Sequence, residues 1–139
     1  CVHDAVRSCV SQLWINKVFE AADKYGSAIL AYPIHGTVKK VGRDNEIIQT
    51  VRRDDLWQAQ TPQVFRKEIL MRAYQNASGS ADDDAALVEA IGEKVIVVPG
   101  DPRNIKITTR EDLELAQAVI DTLPKPGIEN STNPFDEVK

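Results

Sequence analysis

The chain has 139 residues, 42% hydrophobic and 27% charged, with a formal net charge of -4. That balance fits one globular domain with enough apolar material for a core, and it speaks against a nucleic-acid polymer as the main partner. Two cysteines, Cys1 and Cys9, are too few for a disulfide framework and point to a reducing setting. No signal-peptide pattern and no apolar run near the ~18 residues of a membrane span is present, so no membrane association is expected.

Cys1 and Val2 run at once into His3, Asp4 and Arg7, with no initiator Met. This reads as the end of a buried strand feeding a functional loop, and it predicts a chain that begins partway through a larger domain. Ser11 to Tyr25 is expected to be a helix with Leu13, Val18, Ala21, Ala22 and Tyr25 on its apolar stripe and Gly26 as its stop. Ala28 to Tyr32, ended by Pro33, suits a buried strand. Thr37 to Val41 and Ile47 to Arg52 read as two strands joined by turn residues Gly42 to Asn45, a half-polar hairpin expected to project from the core.

Phe65 to Ala77 reads as a second helix with Ile69, Leu70, Ala73 and Tyr74 on its apolar face. Ala85 to Ile91 reads as a third, led by Asp82, Asp83 and Asp84 and stopped by Gly92. Val95 to Val98 is a β-branched run suited to a central strand. Thr109 is an N-cap for a last helix, Arg110 to Leu123, and Lys125 to Lys139 has the composition of a mostly disordered tail. Helices alternating with short apolar strands imply an α/β domain with a largely parallel sheet, whose ligands sit at the carboxyl ends of strands.

Three polar segments follow such strands: Asp4 to Arg7, Ile34 to Thr37, and Asp101 to Thr109. Asp4 can hold a divalent cation or a sugar hydroxyl and Arg7 can take a phosphate, but their spacing suits a local ion pair equally well. His3 fits a packed, hydrogen-bonded ring better than a catalyst. From Leu56 to Phe65 the chain is dense in hydrogen-bonding groups, with Gln58, Gln60, Thr61 and Gln63 around a Pro62 that excludes a regular ladder. The Asp82 to Asp84 run fits a solvated helix start better than a metal cluster. Lys106, between Ile105 and Ile107, is either directed at an anion or a plain surface strand residue. No Walker A sequence, G-x-G-x-x-G, zinc site or Ser/His/Asp set is recoverable.

The ordered segments Val2-His3-Asp4-Ala5-Val6-Arg7, Thr37-Val38-Lys39, Leu56-Trp57-Gln58-Ala59-Gln60-Thr61-Pro62-Gln63-Val64-Phe65, Asp83-Asp84-Ala85 with Val88-Glu89, and Gly100-Asp101 through Asn104-Ile105-Lys106-Ile107-Thr108-Thr109 to Glu111-Asp112-Leu113 resemble one family. It is the 2-C-methyl-D-erythritol 4-phosphate cytidylyltransferases, and the likeness runs from the first residue to about Leu123. Ribitol-5-phosphate cytidylyltransferases share much of the pattern; Leu56-Trp57 favours the methylerythritol family. The resemblance implies the C-terminal portion of a Rossmann-like nucleotidyltransferase domain over 1–123, with a projecting β-hairpin dimerisation arm over about 36–54 and the tail over 124–139. It implies CMP transfer from CTP to a sugar-alcohol phosphate with release of pyrophosphate, in non-mevalonate isoprenoid synthesis. It further implies Mg²⁺, a homodimer, and a bacterial cytoplasmic setting ahead of a plastid one.

By the same resemblance Arg53 and Lys106 are the catalytic pair that positions the nucleophilic phosphate oxygen. Asp4 holds metal or substrate hydroxyls, and Arg7 binds the sugar phosphate. Thr37 and Arg53 reach the partner's substrate from the two ends of the arm, and Thr61 and Asp82 are further substrate contacts. Ser8 stands where the family usually has proline. Asp82 stands where it has threonine, so an extra carboxylate would face a phosphate there. The family's glycine-rich triphosphate loop precedes the matched segment, so this chain alone is expected to give no turnover; the remaining alternative is a non-catalytic dimerisation fragment.

Overall fold

The structure, a computed structural model, describes residues 1–77 and 79–125. Helix α1, Gln12–Tyr25, opens on Ser11, whose hydroxyl accepts the Trp14 N–H at 3.4 Å, and closes on Gly26 at φ 95°. Its buried stripe is Trp14, Val18 and Ala22, spaced by four residues. Of the residues expected on that stripe, Leu13 lies one step out of phase and Tyr25 is in phase but ends the helix, and both are exposed. The Gly26 carbonyl also accepts the Arg66 N–H at 2.8 Å, which ties the end of α1 to the chain just before Lys67.

Strand β1, Ser27–Pro33, is the middle of a three-stranded sheet. β4, Trp57–Phe65, pairs with it antiparallel, and β5, Ile96–Pro99, pairs with it parallel. Among the described residues β5 is therefore an edge strand with only Val98 buried, not the central strand its apolar run suggests. Alternate residues of β1 serve two cores. Ala28 and Leu30 join Trp14, Val18, Ala22, Val64 and Val98 under α1, while Ile29 joins Phe65, Ala73, Ala85 and Val88 under α2, Lys67–Gln75, and α3, Asp84–Ala90. The result is a mixed α/β layering with helices on both faces of the sheet.

β4 is not expected as a strand, and the reason for its irregularity is visible in its register. Ile29 pairs with Gln63 and Ala31 with Ala59, so Gln60, Thr61 and Pro62 stand opposite Leu30 alone. Pro62 has no N–H for the ladder, and the strand bulges there as its sequence requires. The Thr61–Pro62 peptide is cis. The anticipated helix over Phe65 to Ala77 begins later, at Lys67, because Phe65 completes β4.

β2, Val38–Val41, and β3, Ile47–Val51, form the expected hairpin as a separate two-stranded sheet whose residues are mostly exposed. Asn45 takes the left-handed φ of 61° in its turn. Val2 makes a single bridge to Gln63 in place of the buried strand anticipated at the start of the chain. Helix α4, Arg110–Val119, carries a full capping box between Thr109 and Asp112 and gives way to a 3-10 turn, Ile120–Thr122, short of the expected end at Leu123. The expected tail lies outside the described residues from residue 126 onward. Among the described residues no helix is long and apolar enough to cross a membrane.

Candidate active site

Three segments converge beside the β4 bulge: the loop His3 to Arg7, the bulge itself, and the loop Gly100 to Ile107 that follows β5. Parallel pairing of β1 with β5, with β4 on the other side of β1, puts the last two within reach of each other. The first is laid against β4 by the two Val2–Gln63 backbone bonds of 2.8 and 2.9 Å. Ile107 N–H donates to the Val6 carbonyl at 2.9 Å, joining the first loop to the third.

Asp4 is the meeting point. Its Oδ2 accepts from Arg7 Nε at 3.1 Å and lies 3.3 Å from Lys106 Nζ. Arg7 is nearly buried, and its Nη1 donates to the Asn104 carbonyl at 2.7 Å. Asn104, fully buried, donates through Nδ2 to the Thr61 carbonyl at 2.8 Å, and the Thr61 hydroxyl receives the Asp4 N–H at 3.0 Å. Asp4, Arg7, Asn104 and Thr61 thus close a circuit of hydrogen bonds across three segments. Such a circuit fixes the aim of the guanidinium more firmly than one ion pair would.

Gln60 braces the third loop from below. Its carboxamide, only 2% exposed, donates to the carbonyls of Asp101 at 2.8 Å and Asn104 at 3.2 Å and accepts the Asp101 N–H at 3.3 Å. Asp101 in turn grips Arg103: Oδ1 accepts Nε at 2.9 Å and Oδ2 accepts Nη2 at 2.7 Å. Arg103 Nη1 also donates to the Thr122 carbonyl, which anchors the loop to the end of the α4 region. Gln63 does the same for α3, donating to Asp83 Oδ2 at 2.7 Å and accepting the Ala85 N–H at 3.1 Å.

The electrostatics favour an anion. Partial burial would raise the Asp4 carboxyl, but Lys106 and then Arg7 outweigh it and hold the group below its ordinary value. One carboxylate therefore faces two fixed cations, and a positive charge is left over. The Lys106 side chain is half exposed, so the pair adds little to stability, and its ammonium keeps hydrogen-bond donors for a ligand. Asp101 is likewise held low, with Arg103 outweighing its burial.

Of the residues singled out in the sequence, Asp4, Arg7, Thr61 and Lys106 meet here. Thr37, just before β2, and Arg53, just after β3, are exposed, and no hydrogen bond or ion pair among the described residues links them to Asp4. Asp82 is exposed outside this cluster; its neighbour Asp83 caps α3 by accepting the Ala86 N–H at 2.9 Å. That is the helix-start reading of the Asp run, and among the described residues no group of three or more His, Cys, Asp or Glu is placed to hold a metal. Asn104 and the Asp101–Arg103 pair are the residues whose part in the site sequence reasoning missed. The dense amides at 58–63 signal the bracing of the loop by Gln60; a buried Asn in a polar loop carries no such signal.

The family model for 2-C-methyl-D-erythritol 4-phosphate cytidylyltransferase matches residues 1–122. A relative of that name from Pelotomaculum thermopropionicum is 49% identical over 122 residues, covering 86% of this chain and 51% of its own. One from Bacillus licheniformis is 43% identical, covering 86% of this chain and 53% of its own. The crystal structure of the Thermus thermophilus enzyme of the same name superposes with a TM-score of 0.79 at 35% identity, over 86% of this chain and 60% of that one. The Francisella tularensis structure gives 0.77 at 39%, over 84% and 57%. The chain spans about half the length of the curated relatives it matches. On this match, which takes in the whole Asp4–Thr61–Lys106 cluster, the chain belongs to the 2-C-methyl-D-erythritol 4-phosphate cytidylyltransferase family.

Proposed function

We propose that the chain forms the sugar-phosphate side of an enzyme that transfers CMP from CTP to 2-C-methyl-D-erythritol 4-phosphate, releasing pyrophosphate. The observation that carries this reading is the convergence of Arg7 and Lys106 on the Asp4 carboxylate beside Thr61. The reaction brings two anions together: a phosphate monoester oxygen attacks the α-phosphorus of the nucleotide, and pyrophosphate leaves from the opposite side. Like charges ~4 Å apart repel by ~4 kcal/mol at an effective dielectric of ~20, so cations fixed in advance offset much of the barrier. The buried guanidinium of Arg7 suits the sugar phosphate, and Lys106 the reacting oxygens.

Mg²⁺ is part of the proposal. Asp4 Oδ1 is free of the Arg7 and Lys106 contacts, both of which fall on Oδ2. One free carboxylate oxygen fits a Mg²⁺ held chiefly by substrate phosphates, whose charge the ion would neutralise. Thr37 and Arg53 stand at the two ends of the β2–β3 hairpin, and among the described residues neither side chain joins the Asp4 circuit of its own chain. Their use on substrate therefore calls for a second copy, with the hairpin as the arm of a homodimer and Arg53 joining Lys106 on the attacking phosphate. Thr61 and the exposed Asp82 would border the same pocket.

The test joins this chain to the preceding half of the Pelotomaculum thermopropionicum relative and measures pyrophosphate release from CTP. Turnover with 2-C-methyl-D-erythritol 4-phosphate and little with ribitol 5-phosphate is the expected result; the reverse preference would assign the other acceptor. No release with either acceptor from a folded, dimeric protein would overturn the reading. The 139-residue chain alone is expected to release none.

A further inference from the structure

We propose that His3 is a positioning residue, whose ring in its neutral form carries its hydrogen on Nε2, and that this ring sets the aim of Asp4 and Arg7. Its Nε2 lies 3.0 Å from the Arg7 carbonyl oxygen, and its Nδ1 lies 2.9 Å from the Thr61 hydroxyl. A carbonyl oxygen only accepts, so Nε2 carries the hydrogen. In the neutral ring Nδ1 is then a bare lone pair, and the Thr61 hydroxyl must donate to it. That leaves a Thr61 Oγ1 lone pair for the Asp4 N–H, which reaches it at 3.0 Å. Every donor in the relay is now assigned: Asp4 N–H to Thr61, Thr61 O–H to Nδ1, and Nε2–H to the Arg7 carbonyl.

The other tautomer is worse at one end. With the hydrogen on Nδ1, Thr61 can still accept, but the Nε2 lone pair then faces the lone pairs of the Arg7 carbonyl. One hydrogen bond is lost, which favours the Nε2–H form about fivefold to tenfold. Geometrically the ring spans the turn that begins with Asp4 and ends with Arg7, closed by an Arg7 N–H to Asp4 carbonyl bond of 3.0 Å. It clamps that turn to the β4 bulge from outside. His3 is exposed and belongs to neither core cluster, so its removal opens no cavity. A role in aiming the turn is thereby separable from a role in holding the fold.

The proposal rests on the cytidylyltransferase reading only in naming Asp4 and Arg7 as substrate groups; the tautomer and the clamp stand on geometry. The first measurement is a long-range ¹H–¹⁵N spectrum of the labelled 139-residue chain at pH 8.5, where an ordinary imidazole is neutral. Nε2 in the protonated, pyrrole-type range and Nδ1 in the unprotonated range is expected for His3. An Nδ1–H or averaged pattern overturns the assignment. The second measurement is amide hydrogen exchange in His3→Phe and His3→Gln. His3→Phe should speed exchange at Asp4 and Arg7 about fivefold to tenfold and leave Val18 in α1 and Gly100 after β5 unchanged. His3→Gln, whose amide reaches the place of Nε2, should restore most of the protection. Equal acceleration everywhere, or none at Asp4, overturns the clamp.

In the joined protein described above, His3→Phe should raise KM for the sugar phosphate by about tenfold while leaving KM for CTP near its value. Wild-type turnover with an unchanged KM in His3→Phe would refute the positioning role and leave the family reading intact. Absent turnover in the wild type would refute the reaction and leave the tautomer and exchange results standing.

Discussion

Gly100 offers the sharpest test of how the loop bearing Lys106 is held. A Cβ built on Gly100 would meet Gln60 Oε1 at 2.3 Å, with the Ala31 carbonyl oxygen at 3.3 Å and its nitrogen at 3.4 Å. The 2.3 Å approach is impossible, so the Gln60 carboxamide must move. Moving it breaks its bonds to the Asp101 carbonyl, the Asn104 carbonyl and the Asp101 N–H. The carboxamide has no route to water, and each buried polar group left unpaired costs about 1–3 kcal/mol. Gly100 is not among the residues of positive φ, so alanine there carries no backbone strain and would by itself gain about 0.4–1 kcal/mol through the unfolded chain. At mid-range values the two terms leave Gly100→Ala a net loss of about 1 kcal/mol with one group unpaired and about 3 kcal/mol with two.

A double-mutant cycle with Gln60→Ala isolates the cause. Without the Gln60 side chain, only the 3.3 and 3.4 Å contacts with Ala31 remain, and these relax with a shift of a few tenths of an ångström. Gly100→Ala in that background should therefore cost close to nothing, a coupling of about 1–3 kcal/mol between the sites. Urea unfolding followed by tryptophan fluorescence reads this directly, since Trp14 is buried in the core. With m of ~2 kcal/mol/M, the single substitution moves the midpoint by about 0.5–1.5 M. Additive losses in the cycle, or a Gly100→Ala protein as stable as the parent, would refute the view that Gln60 braces the loop.

Asp4 has a carboxyl held below its ordinary value in the folded chain, so it stabilises above the unfolded pKa of ~3.9 and loses that contribution as pH falls through its lower folded value. Asp4→Asn should accordingly flatten the acid limb of the stability profile below about pH 4 and shift the plateau above about pH 5 by a constant amount; an unchanged acid limb would contradict the ion-pair geometry. Thr109→Ala removes the side-chain half of a capping box and should cost about 1 kcal/mol in unfolding experiments, with loss of helix signal confined to α4. Arg53 is exposed and holds no part of the fold, so Arg53→Ala should leave the unfolding midpoint within about 0.5 kcal/mol while lowering turnover of the joined protein steeply; unchanged turnover would remove Arg53 from the site.

The helices were legible because local chemistry decides them. Ser11 and Gly26 bound α1, Asp83 opens α3, and Thr109 with Asp112 opens α4, each within a few residues of the groups it satisfies. β4 was illegible for the opposite reason. Its inner half buries Gln60 and Gln63 as fully as Val64 and Phe65, so neither alternation nor an apolar run marks it. Those glutamines are buried because they bond loops far along the chain: Gln60 to residues 101–104, and Gln63 to the start of α3.

The same long range explains what spacing left open at Asp4 and Arg7. From the sequence, a local ion pair and an anion site fit equally well, since both need a carboxylate and a guanidinium three residues apart. The structure contains the pair, yet the pair alone does not account for the rest. A carboxylate satisfied by Arg7 has no need of a second cation, and Lys106 could remain in water at no cost. Instead Asn104 and Thr61, both on other segments, fix the guanidinium from its far side and the Asp4 backbone from below. Lys106 is then brought to 3.3 Å of the same oxygen. An excess of fixed positive charge gains nothing for folding at a half-exposed position. It lowers the free energy of the site only when a further anion arrives, and that excess of charge, rather than the ion pair itself, is what supports the proposed phosphate role of the cluster.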